Sequence, residues 1–336
     1  LAYPILRLLH TTGDTIRLAG DYLRIIFAGI PFLAVYNVYS AALRGIGDSR
    51  APFLAILFSS AVNVVLDILF VACLHWGVKG AAAATVISQA AMTAFLILYA
   101  VAKHPLLRFC PGGRLLYGNA LEQGFRLGIP PMIQSSVSAF GSLLLQNFMN
   151  GFGTQTVAAI TTAYRVDTII LLPIINLGSG ISTIVARNHG AGEEGRAKRV
   201  LAVGTAMMAA VSLFLTILVI PTGGRVIAMF GVGAGAVGIG QDFFQRIACF
   251  YVVFGLATAV RGYLEGIGDV LYSSIAGIVS LISRILASYG MAAVFGNMVI
   301  AYAEAFSWGV LLALYLARMG WRRYRMGGPI DSPATP

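Results

Sequence analysis

An acid, an amide and a hydroxyl recur within a short stretch of the chain. Asn63 and Asp67 lie four residues apart, and Thr85 follows in the next apolar run. Side chains at i and i+4 share one face of a helix, so Asn63 and Asp67 offer their oxygens to the same side. Asp67 falls about two-thirds of the way along its run. Thr85 opens the run that returns, at a similar depth. A carboxylate, an amide carbonyl and a hydroxyl are hard oxygen donors. Together they suit Na⁺, and the carboxylate alone can carry H⁺. The plainer alternative is a buried acid hydrogen-bonded to an amide across a helix pair.

Other ionisable residues stand mid-run: Arg165, Asp167, Arg284 and Glu304, with Arg261 and Glu265 nearer an end. A charge at such depth costs about 2.5–3.5 kcal/mol on insertion scales. Arg284 therefore needs a counter-ion, and Asp167 and Glu304 are the candidates. The pair is either structural or a switch released by protonation or ligand. Pro173 lies in the middle of an apolar run, where it removes a backbone hydrogen bond and bends the helix. It is a hinge candidate beside a cavity, with a static kink as the alternative.

The elements that must position these residues are apolar helices. Of 336 residues, 58% are hydrophobic and 11% charged, against about 25% charged in soluble domains. A membrane core of about 30 Å takes roughly 20 apolar residues per crossing. Suitable stretches lie near 22–43, 52–75, 80–102, 125–149, 157–185, 200–221, 241–264, 271–295 and 298–317, with 1–9 as the tail of another. The fold class is an all-α membrane protein of about nine complete transmembrane helices plus a partial one.

The hexapeptide Leu43-Arg44-Gly45-Ile46-Gly47-Asp48 recurs as Leu264-Glu265-Gly266-Ile267-Gly268-Asp269, offset by 221 residues. Repeats of this kind build secondary transporters. Six spans separate the copies, so both run in the same direction, as parallel repeats about an axis along the membrane normal. Glu122 to Gly266 is 144 residues, whereas 44 precede Gly45. About 100 residues would then be wanting at the N-terminus, and the chain is expected to be a fragment of a six-plus-six protein. The expected parts are an incomplete N-terminal lobe, 1–102, a cytoplasmic linker, 103–124, a six-helix C-terminal lobe, 125–317, and a basic cytoplasmic tail, 318–336. Adding 221 carries Asn63 to Arg284, Asp67 to Ser288 and Thr85 to Phe306. The oxygen cluster is thus confined to the first half, which points to a single cation site there.

The net charge of +10 does not point to nucleic acid. Most basic residues fall in alternate loops and the tail, the bias that keeps positive loops inside. The chain is expected to be multi-pass in the plasma or inner membrane, C-terminus in the cytoplasm, surrounded by lipid and monomeric. Cys73, Cys110 and Cys249 form no framework. The four histidines lack metal-ligand spacing, and no HExxH or GxSxG occurs, so an enzyme is not expected and no cofactor is implied. Gly233-Ala234-Gly235-Ala236-Val237-Gly238 fits GxGxxG, but it follows no strand.

The combined pattern resembles the multidrug and toxic compound extrusion (MATE) family. It is carried by the first hexapeptide followed by Pro52, by Asn63-x-x-x-Asp67, and by Gly77-x-x-Gly80-Ala81-Ala82 running into Thr85. In the second half it is carried by Gly128-Ile129-Pro130 and by Arg187-Asn188-His189-Gly190-Ala191-Gly192. The resemblance implies two six-helix lobes facing a cavity. In the DinF-like branch it implies a Na⁺ or H⁺ site in the N-terminal lobe, where Asn63, Asp67 and Thr85 match. A fourth member, an acid on the first helix, would lie before this chain. Positions matching the NorM-like carboxylates hold Ser138 and Phe254, against a site of that type. The function implied is antiport coupled to Na⁺ or H⁺, exporting small organic, drug-like compounds. The alternative is a lipid-linked precursor or polysaccharide flippase of the wider superfamily.

Overall fold

The computed structural model describes residues 13–108 and 118–326. The expected partial span at 1–9, the middle of the expected linker and the end of the tail lie outside them. Eleven α-helices account for nearly all described residues: α1 Gly13–Ile46, α2 Arg50–Asp67, α3 Gly77–Lys103, α4 Gly118–Asn150, α5 Thr154–Ile170 and α6 Leu172–Gly190. They continue with α7 Glu194–Ala228, α8 Ala234–Ile247, α9 Tyr251–Gly266, α10 Val270–Phe295 and α11 Val299–Met326. No strand occurs among the described residues.

Two expected spans are broken. The run 157–185 is two helices, α5 and α6, bent by 40° at Leu171. Pro173 sits in the first turn after the break. It has no N–H to offer the carbonyl of Ile169, so the ladder ends there. The run 241–264 is likewise α8 and α9, joined by a 3₁₀ turn at Ala248–Phe250. Pro31 and Pro130-Pro131 sit inside α1 and α4 without ending them. Among the described residues six stretches are long and apolar enough to cross a membrane, or seven with the bent pair taken as one. One of them, Val270–Arg322, holds both α10 and α11, which double back at Gly296, where φ is +56°.

The chain divides into two compact units, Leu1–Leu115 and Leu116–Pro336. In the first, α3 packs against both α1 and α2. Tyr36, Leu43, Ala51, Ala55, Met92, Leu96 and Ala100 form its core. Phe53, Ile56, Leu57, Val64 and Val65 of α2 are exposed, side chains suited to lipid. In the second unit α11 packs against α9 and α10 in the same way. A small core there joins Ala257, Leu264 and Ala276. These are the positions of Tyr36, Leu43 and Ala55 shifted by 221. A larger core runs through α5 to α9 and is anchored by the fully buried Phe243, Phe244, Ile247 and Tyr251.

The repeated hexapeptide makes the same turn twice. Asp48 N–H donates to the Leu43 carbonyl at 2.9 Å, and Asp269 N–H to that of Leu264 at 2.8 Å. Gly47 and Gly268 take φ of +96° and +84°, which only glycine adopts without strain. The surroundings differ. A Cβ on Gly266 would meet Val185 Cβ at 2.7 Å and the Ser182 carbonyl oxygen at 2.8 Å, whereas one on Gly45 meets nothing within 4 Å. The second copy is therefore the one wedged against α6.

Candidate functional site

In the first unit, Asn63 and Asp67 occupy successive turns at the end of α2. They are partly buried, not lipid-facing as Val64 and Val65 are. Asn63 Nδ2 and Asp67 Oδ1 are buried with no hydrogen-bond partner. Leaving such groups unpaired costs about 1–3 kcal/mol each. A bound cation would satisfy Asp67 Oδ1, whereas Asn63 Nδ2 is a donor and would need an acceptor. The plainer reading of an acid paired with its neighbouring amide does not hold for these two atoms.

Asp67 is also the last residue before a π-helical turn, Ile68–Cys73. Such turns widen the backbone and gather at functional sites. Sequence periodicity gave no sign of it. The Thr85 hydroxyl donates to the Ala81 carbonyl at 3.0 Å, within its own helix. Its lone pairs remain available to a cation, but no hydrogen bond ties it to Asn63 or Asp67. Gly29 lets α1 approach α3 one turn beyond Thr85: a Cβ there would lie 2.8 Å from Gln89 Oε1 and 2.9 Å from Val86.

In the second unit, the structure chooses between the two candidate partners of Arg284. Arg284 Nη2 donates to Glu304 Oε2 at 3.0 Å and to the Tyr164 hydroxyl at 2.7 Å. Its guanidinium also lies over the Tyr164 ring, 5.5 Å from the centroid. Asp167 is not its partner. Asp167 is 3% exposed and accepts a short hydrogen bond from the Tyr251 hydroxyl. Three helices, α5, α10 and α11, thus converge on one cation and one acid, and α9 supplies the tyrosine that holds the second acid. Tyr164 and Tyr251 were not singled out from the sequence. Tyr164 precedes Asp167 by three residues, so both face the core, and that spacing was the available signal. Ser288, the repeat counterpart of Asp67, is buried and returns its hydroxyl to the Arg284 carbonyl at 2.9 Å. Arg165 points away from Asp167, as i and i+2 must on a helix. It is exposed and lines a cavity of about 570 Å³ with Asn150, Thr154, Thr161 and Thr162.

The two corner acids outside the spans are held differently. Asp48 accepts from the backbone N–H of Arg50 and Ala51, both at 3.2 Å, and so caps α2. It also accepts from the Tyr99 hydroxyl at 3.0 Å and faces His104 Nε2 at 3.1 Å. Burial pushes its carboxyl up, but the His104 contact and these donors outweigh burial and hold it below the usual carboxylate range. Asp269 makes no such cap. It takes Arg318 and Arg322 instead.

The comparisons with known proteins agree with this architecture. The family model described as MatE matches residues 1–69 and 130–290, more than half of the chain. "Probable multidrug resistance protein YpnP" of Bacillus subtilis is 32% identical over 282 residues, covering 83% of this chain and 62% of that protein. "Multidrug export protein MepA" of Staphylococcus saprophyticus is 23% identical over 265 residues, covering 79% and 58%. The chain thus spans somewhat under two thirds of these relatives' length. Among solved structures, a MOP superfamily transporter from Pyrococcus furiosus superposes with a TM-score of 0.89 at 20% identity, covering 97% of this chain and 73% of that one. A MATE crystal structure in the bent conformation gives 0.87 at 20% identity, covering 96% and 72%. Fold and family model coincide: the chain belongs to the MatE family, whose fold is an all-helical membrane protein.

Proposed function

We propose that the chain acts in cation-coupled export of small organic compounds, as a transporter and not an enzyme. One observation carries the coupling site. Asp67 Oδ1, an acceptor, is buried and unpaired, one residue before a π-helical turn. The carboxylate of Asp67 holds Na⁺ or H⁺ there, with the Asn63 carbonyl and Thr85 hydroxyl as neutral oxygen donors. A cation bound there shifts the balance between two conformations only by its differential affinity for them. A buried carboxylate supplies that difference when its surroundings change. The bend at Leu171–Pro173 gives the second unit a place to flex. The expected working form is a monomer, six-plus-six in layout, with its C-terminus in the cytoplasm.

Relatives named as multidrug resistance and export proteins support the substrate class. The exposed Arg165, among hydroxyls in a groove of about 570 Å³, is the observation that favours the second reading, a flippase for lipid-linked anions. The test is dye efflux from cells carrying the protein, with Na⁺ and pH varied independently. Asp67→Asn keeps size and hydrogen bonding but removes the charge. It should abolish gradient-driven efflux at normal membrane abundance, while Ser288→Ala at the repeat-equivalent position should leave efflux within about twofold, as for a substitution away from such features. Full efflux in Asp67→Asn, or equal loss from both, refutes the site. Transport of a lipid-linked anion without dye efflux would move the chain to the second reading.

A further inference from the structure

We propose that the second unit binds the headgroup of an anionic phospholipid at the corner between α9 and α10. The corner opens on a cavity of about 440 Å³ lined by Arg126, Asp269, Arg318, Trp321 and Arg322. Two guanidinium groups bind one carboxylate there, and a third lines the same cavity. Arg318 Nε and Nη2 donate to Asp269 at 2.7 and 3.1 Å, and Arg322 Nη1 donates at 3.2 Å. Both carboxylate oxygens are occupied, one of them twice. Each guanidinium carries five N–H donors, so donors outnumber acceptors. Arg126 is exposed and has no hydrogen bond or ion pair among the described residues. The cluster carries a net charge of +2, from three arginines and one aspartate. A phosphate with several oxygens matches both the excess charge and the surplus of N–H groups.

The corner does not need these arginines in order to fold. Asp48 makes the same turn in the first unit with two backbone N–H groups, Tyr99 and His104, and with no arginine pair. Membrane orientation alone scatters basic residues along one face. It does not focus three of them on one cavity.

The surroundings select a lipid over a free anion. Trp321 is 44% exposed and stacks beneath Arg318 at 4.6 Å, at the end of a spanning helix, where tryptophan marks the membrane interface. A second cavity of about 720 Å³ shares Ile267 and Arg322 with the first. Leu201, Leu264 and Met319 form one wall of it, and His189, Glu194 and Lys198 line its polar end. The cationic corner thus adjoins a cavity with an apolar wall, which fits a headgroup continuing into its chain and not an inorganic ion. Basic pockets between helix ends are recognised sites for anionic lipid headgroups.

The test is native mass spectrometry of the protein purified in mild detergent, comparing retention of phosphatidylglycerol with that of phosphatidylcholine. The protein should retain phosphatidylglycerol preferentially, and millimolar inorganic phosphate should not displace it. Arg126→Gln breaks no internal contact and should weaken retention about fivefold with an unchanged gel-filtration profile. Arg196→Gln removes an exposed charge outside the cavity and should change nothing. Equal retention of the two lipids, or equal loss in the two variants, overturns the proposal. Displacement by inorganic phosphate does so too, by making this a free-anion site. A gain in retention on Asp331→Asn would assign the cavity to the chain's own C-terminal segment and likewise overturn it.

Discussion

Glu304→Gln should cost the second unit far more stability than Asp167→Asn, although both acids lie in the same buried neighbourhood. Glu304 is the ion partner of Arg284 at 3.0 Å, and their side chains are 10% and 20% exposed. Removing one member of a buried pair leaves the other charge uncompensated, at about 3–5 kcal/mol. Arg284 keeps the Tyr164 hydroxyl and ring, so the lower end, about 3 kcal/mol, is expected. For a unit of this size that is roughly 6–12 °C in Tm. Asp167 has no cation partner. Asparagine there still accepts from the Tyr251 hydroxyl, so the loss should stay within about 1 kcal/mol. Thermal unfolding in detergent, followed by fluorescence-detected gel filtration, reads both. Combining Arg284→Gln with Glu304→Gln should recover about 1–3 kcal/mol relative to the sum of the single losses. Equal losses at the two acids, or strict additivity in the double variant, would show that the contact does not stabilise the unit.

The two copies of the repeated turn should respond unequally to the same change. Gly266→Ala drives a methyl against Val185 and the Ser182 carbonyl and should cost about 1–3 kcal/mol. Gly45→Ala meets open space and should be neutral or stabilise by up to about 1 kcal/mol, read by the same unfolding assay. The Asp48 corner should be sensitive to acid. Its carboxyl titrates lower in the folded state than in the unfolded chain. Its contribution is therefore fully present above about pH 4 and is lost as pH falls through the folded value below that. Amide exchange at Arg50 and Ala51 should accelerate in that window and lose its pH dependence in Asp48→Asn. Unchanged pH dependence in the variant would remove Asp48 from the cap.

The general layout was legible because lipid simplifies the code. Long apolar runs must be helices when no water is present to satisfy the backbone, and the repeated hexapeptide fixed where two of them turn. Even so, the run 157–185 hid a bend and the run 241–264 a 3₁₀ turn, because hydropathy averages over both. Only Pro173 announced one of them, and nothing of comparable strength marked Ala248–Phe250. The partner of Arg284 was out of reach for another reason. Two acids lay at suitable depth, and the choice depends on which helices pack, a property of tertiary contacts and not of spacing. The tyrosines Tyr164 and Tyr251 were overlooked because a hydroxyl at the end of an aromatic ring reads as core until its partner is known.

The repeat also makes one argument that neither half could make alone. A structural device needed by the turn should recur at the offset of 221, and the glycine geometry and the backbone bonds at Asp48 and Asp269 do recur. What does not recur should serve something other than the fold. Asn63 and Asp67 have unpaired buried atoms, whereas their counterparts Arg284 and Ser288 each hold a partner. Conversely, Asp48 is satisfied by local donors, whereas Asp269 draws two arginines and leaves a third nearby. Each unit is thus over-provided in polar groups at one place, and the places differ: an unpaired carboxylate oxygen at the end of α2 in the first, guanidinium groups at the helix ends in the second. Matching chemistry follows from that contrast. The first suits a small cation held at depth, and the second an anionic headgroup at the interface.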